Sequence, residues 1–101
     1  MVNHLEILLQ LYPDKPWNWY EISMNPNLTM DIIENNLTKS LKWRLISANP
    51  NITIDIIENN PNYPWDWERI SRNPNMTSDI IINNFHYNWN WQTLSKNKFK
   101  N

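Results

Sequence analysis

The chain has 101 residues, enough for one domain or one short array of repeats. Nine basic and ten acidic side chains leave a formal charge of −1, too little to grip a polyanion, so nucleic acid is a disfavoured partner. The absence of cysteine excludes disulfides and thiolate metal sites, and no apolar run approaches the ~20 residues of a membrane span.

The opening stretch "MVNHLEILLQLYPDK" has neither a basic n-region nor a small-residue cleavage site. It does not read as a secretion signal, and the expectation is an intracellular protein. Leu5, Leu8, Leu9 and Tyr12 recur at helical spacing, with His4, Glu6 and Gln10 elsewhere around the surface. This predicts a modified first helix that covers the first Trp row.

From there the chain repeats itself every 24 residues. "SMNPNLTMDIIENN" (Ser23 to Asn36) returns as "SANPNITIDIIENN" (Ser47 to Asn60) and "SRNPNMTSDIIINN" (Ser71 to Asn84). Trp19, Trp43, Trp67 and Trp91 share one phase, and Asn25, Asn49, Asn73 and Asn97 another. Trp17, Trp65 and Trp89 form a third series, with Leu41 in the gap; Ile22, Ile46, Ile70 and Leu94 form a fourth. A period of this size marks a supersecondary unit that stacks on its neighbours.

Within each unit two helices are predicted. Thr29, Thr53 and Thr77 are N-caps, each with an Asp two residues later where the helix dipole favours negative charge. The Ile pairs 32–33, 56–57 and 80–81 follow, and Asn pairs end the helix. The second helix starts after Asn18, Lys42, Asp66 or Asn90, carries Trp67, Ile70 and Ser71 on one face, and stops before Asn-Pro. Each helix is expected to be ~7 residues long, with turns of ~5. With no glycine in the chain, Asn is expected to supply left-handed turn conformations. Strands are the alternative, given the Ile-rich runs, but adjacent Ile pairs and frequent Pro oppose alternation. The expected fold is all-α, a short α-solenoid of about four 24-residue helix-turn-helix repeats in a single domain. Its expected parts are a capping helix in 1–15, repeats at 16–39, 40–63 and 64–87, and a half-repeat at 88–101.

"NPNITIDIIENNPNYPWDWERISRNPN", Asn49 to Asn75, resembles the tandem repeats of uncharacterised proteins in giant DNA viruses of the mimivirus kind. The resemblance covers about residues 13 to 97 and rests on NPN-[ILM]-T combined with P-W-[DN]-W. The copy "LTKSLKWRLIS" departs from it, lacking the leading Pro and the first Trp, and Asn97-Lys98-Phe99 replaces the last NPN. The resemblance implies an α-helical repeat protein of viral origin, in the host cytoplasm or virus factory, and carries no established activity.

The recurring residues suit a structural frame. Trp19, Trp43, Trp67 and Trp91 are expected as an inner row on the Ile pairs; exposed platforms for bases or sugars are the alternative. Asn25, Asn49 and Asn73 are expected to bond the backbone of their own turn and of the neighbouring one; the alternative is a row of amides for base edges. The repeated Asp residues are explained by capping, and His4 and His86 have no in-phase ligand partner. No phosphate loop or nucleophile-base spacing occurs, so neither catalysis nor a cofactor is expected.

Specificity is left to positions where the copies differ. Tyr20, Arg44, Glu68 and Gln92; Glu21, Leu45 and Arg69; and Met24, Arg72 and Lys96 fall on one outward stripe of the second helices. Leu45, Ile54, Tyr63, Ile82 and Tyr87 are expected as apolar contacts on a polar surface. At the C-terminal end, Phe85, Tyr87, Trp89 and Phe99 are expected to expose an apolar face that self-associates or docks a protein, most simply by a two-fold contact. The function expected is a non-enzymatic scaffold for protein–protein interaction. A nucleic-acid reader working through the same stripe and a self-assembling structural protein are the alternatives.

Overall fold

Helices of four to eight residues, and no strand among the described residues, make up a computed structural model that describes residues 2–99. They are α1 (His4–Leu11), α2 (Trp19–Met24), α3 (Met30–Glu34), α4 (Trp43–Ser47), α5 (Ile54–Asn59), α6 (Trp67–Arg72), α7 (Ser78–Asn83) and α8 (Trp91–Leu94). All but α1 are shorter than the ~7 residues expected from the sequence. Helices this short do not persist alone in water, so their stability comes from packing and from their ends. The ends are well supplied. Thr29, Thr53 and Thr77 cap α3, α5 and α7, and Asn3, Asn18, Asp66 and Asn90 cap α1, α2, α6 and α8. Lys42, before α4, has no acceptor to offer and makes no cap bond.

The turns overturn the expectation that Asn supplies left-handed conformations. Among the described residues positive φ occurs at Phe99 alone (46°). Asn25 sits at φ −67°, ψ 129°, and its carbonyl accepts from Leu28 N–H at 2.9 Å. The same bond closes Asn49 to Ile52 and Asn73 to Met76, both at 3.0 Å. Pro at the second position fixes a negative φ, and a type I turn needs no positive φ at the third. Asn-Pro-Asn therefore reverses the chain without glycine.

The even-numbered helices pack in succession, α2 on α4, α4 on α6 and α6 on α8. Three columns of buried side chains run through the molecule: Ile22, Ile46, Ile70 and Leu94; Leu28, Ile52 and Met76; and Leu9, Ile33, Ile57 and Ile81. Each such burial contributes about 1.5–3 kcal/mol. The result is elongated, 43 × 27 × 22 Å, with a radius of gyration of 14.8 Å.

Polar bonds lock neighbours at fixed offsets. Ser23 Oγ donates to Trp19 O (2.6 Å) and accepts from Lys42 N–H (3.0 Å). Ser47 accepts from Asp66 N–H and Ser71 from Asn90 N–H, each at 2.9 Å, and all three serines are fully buried. Asn49 Nδ2 donates to Asn25 O (3.1 Å), and Asn73 Nδ2 donates to both Asn49 O and Ser47 O (3.0 Å). The Oδ1 of Asn25, Asn49 and Asn73 each accepts from the backbone two residues on. The second Asn of the motif is a further clasp: Asn51 Nδ2 reaches Leu28 O (3.1 Å), and Asn75 Nδ2 reaches Ile52 O (2.8 Å).

Candidate functional site

With the frame committed to these bonds, the surface positions are what remains for recognition. Tyr20, Glu21, Met24, Arg44, Glu68, Arg72, Gln92 and Lys96 are exposed. They lie on α2, α4, α6 and α8 or, for Lys96, just beyond α8. Leu45 and Arg69 are half-buried, so this phase turns partly inward. Arg69 Nε is buried and has no hydrogen-bond partner among the described residues. Arg72 pairs with Glu68 one turn earlier at 3.9 Å, a long and half-exposed pair that adds little stability.

The apolar contact patch expected on the polar surface is corrected. Ile54, Tyr63 and Tyr87 are half-buried against the core, and Ile82 alone of that set is exposed (67%). The cause is aromatic packing: Tyr63 lies 5.0 Å from Trp43, and Tyr87 stacks on Trp67 at 5.2 Å.

The two tryptophan series also exchange roles. Trp65 and Trp89 are the buried ones, and their indole N–H groups donate to Asn60 O (2.9 Å) and Asn84 O (2.8 Å). Trp17 makes the same bond to Tyr12 O at 2.8 Å. Trp19, Trp43 and Trp67 are half-buried at the first positions of their helices. Trp65 meets Trp43 edge-on at 5.3 Å, as Trp89 meets Trp67. Trp43 and Trp67 are thus covered by aromatics some 20 residues further along, whereas Lys39 and Leu41 hold those phases after Trp19. Trp91 has no such cover among the described residues and stands 58% exposed.

The expected end face changes accordingly. Phe85 is exposed (72%), but Trp89 is buried and Tyr87 and Phe99 are half-buried, so those three do not form an open patch. The exposed members are Ile82, Phe85 and Trp91. Ile82 was legible as an unmatched member of its phase, because it replaces Glu34 and Glu58.

Two open hollows adjoin this end. One, of ≈ 310 Å³, is lined by Ser78, Ile81, Ile82, Trp91, Leu94, Ser95 and Phe99. The other, of ≈ 510 Å³, lies between the Asn73–Met76 turn and the tail; Arg72, Lys96 and Lys98 line it, with no acidic side chain. Phe99 stands where Asn51 and Asn75 stand in earlier copies, and it cannot make their clasp. Among the described residues, no three His, Asp or Glu side chains converge to hold a metal, and no helix is long and apolar enough to cross a membrane. Comparison with protein-family models, with curated proteins and with solved structures finds no match to this chain.

Proposed function

We propose that the chain is a short α-solenoid of about four 24-residue helix-turn-helix repeats and serves as a non-enzymatic scaffold for protein–protein interaction. Its repeats are those delimited at 16–39, 40–63 and 64–87, flanked by the capping helix of 1–15 and the half-repeat of 88–101. One observation carries the reading. The side chains that recur every 24 residues make the buried columns and the interlocking bonds, whereas most that vary point to solvent on one run of helices. Repeat arrays recognise partners in this way, on a rigid frame with interchangeable surface positions. The resemblance to giant-virus repeat proteins supports a viral, intracellular setting.

The test is affinity capture from infected cells with wild-type protein and a stripe variant carrying Tyr20→Ala, Arg44→Ala and Arg72→Ala. All three side chains are exposed, so the variant is expected to keep its melt and lose its partner. Equal capture by both would remove the stripe from the proposal. Salt-sensitive binding of oligonucleotides instead would favour the nucleic-acid reading.

A further inference from the structure

The two ends of the stack are uncovered in complementary ways. Inside the molecule, α3 faces α1 through the buried Ile32, across a small cavity that Glu6, Leu9 and Gln10 of α1 help to line. The in-phase counterparts of those three on α7 are Ser78, Ile81 and Ile82, and they line the open ≈ 310 Å³ hollow with Trp91 and Leu94. Nothing in phase with Ile32 lies opposite them among the described residues. At the other end, the residue in phase with Ile32 is Leu8, 43% exposed on α1. The aromatic series shows the same split. Trp91 lacks the ring that Trp65 gives Trp43, and Trp17, the counterpart of Trp65, has no ring packed against it among the described residues. Charge divides as well. Residues 1–36 carry five acidic side chains and one basic, and residues 69–101 carry five basic and one acidic.

We propose that the occupant of the α7–α8 face is the α1 face of a second copy of this chain. The contact continues the interface already formed inside the molecule: Leu8 enters the hollow beside Ile81 and Ile82, and Trp17 covers Trp91 as Trp65 covers Trp43. It rests on the solenoid reading above, because register across the junction is the register of the repeat. The acidic end of one copy meets the basic end of the next, so association weakens as salt rises. The two faces differ, so each added copy leaves one of each kind open, and growth does not close at a dimer. This replaces the two-fold contact expected from the sequence. Phe99, four periods beyond Asn3 in phase, lines the hollow and packs on the core, so the proposed contact requires it to move aside as α1 enters.

Light scattering on the purified chain over a concentration series, at low and high salt, tests this. The mass is expected to pass twice that of the monomer and to fall with salt. Trp91→Glu and Leu8→Glu change exposed side chains, and a carboxylate suits the first turn of α8, so both should keep wild-type helicity and melts. Ile82→Lys is the second variant of the same face. Each variant alone is expected to stay monomeric. An equimolar mixture of Trp91→Glu with Leu8→Glu, which retains one intact face of each kind, is expected to give a one-to-one pair. A wild-type chain that stays monomeric at every concentration overturns the proposal, as does a dimer indifferent to Leu8→Glu. Neither result touches the stripe, whose partner is read out by capture.

Discussion

Asn73 is 2% exposed and serves three backbone groups at once, donating to Ser47 O and Asn49 O and accepting from Asn75 N–H. A buried carbonyl or amide that loses its partner costs about 1–3 kcal/mol. Asn73→Ala is therefore expected to lower stability by at least that much. Arg72→Ala, next in the chain and exposed, should stay within about 0.5 kcal/mol despite the larger truncation. Urea titrations of the two variants check this, and equal midpoints would mean that the amide ladder adds nothing. The tryptophans give the matching apolar case. Trp89 combines 4% exposure with a satisfied indole, whereas Trp91 in the neighbouring series lies open.

Short helices depend on their ends, and α4 has the poorest one. Lys42 leaves its first turn without a side-chain acceptor, and Leu41 puts an aliphatic side chain where Trp65 and Trp89 bond a carbonyl and pack on the preceding Trp. Lys42→Asp is expected to raise stability by about 0.5–2 kcal/mol, as a melt shift will show. Much at this scale was legible in the sequence. The Thr and Asx caps, the Ile columns and the Asn-Pro stops are local chemistry at helical spacing, and those helices lie where that chemistry put them. Which tryptophan of Trp65 and Trp67 goes inside was not legible. Trp65 lies in the turn before α6, where no helical periodicity sets the direction of a side chain. The second Asn of each Asn-Pro-Asn was passed over for a related reason. Its acceptors, Pro26 and Leu28 for Asn51, belong to the turn one copy back, and periodicity shows only that the positions are equivalent.

Over the whole molecule, every long-range side-chain bond of the frame joins groups 19 to 26 residues apart. Among the described residues, no such bond skips over a neighbour. On the proposed solenoid reading, stability builds from units and their nearest interfaces. The interface between α2 and α4 lacks the aromatic cover of the others, because Lys39 and Leu41 replace the tyrosine and tryptophan that cover Trp43 and Trp67. The fixed reach of the bonds also has a consequence for the gene. A duplication that inserts a second copy of residues 49–72 after Arg72 hands every serine and asparagine a partner at its accustomed distance. The lengthened protein is expected to fold and to melt higher than the original. The same insertion cut short by one residue sets the clasps across its junction out of step and should melt lower. A chain written this way can grow by accident, provided the accident is a whole word long.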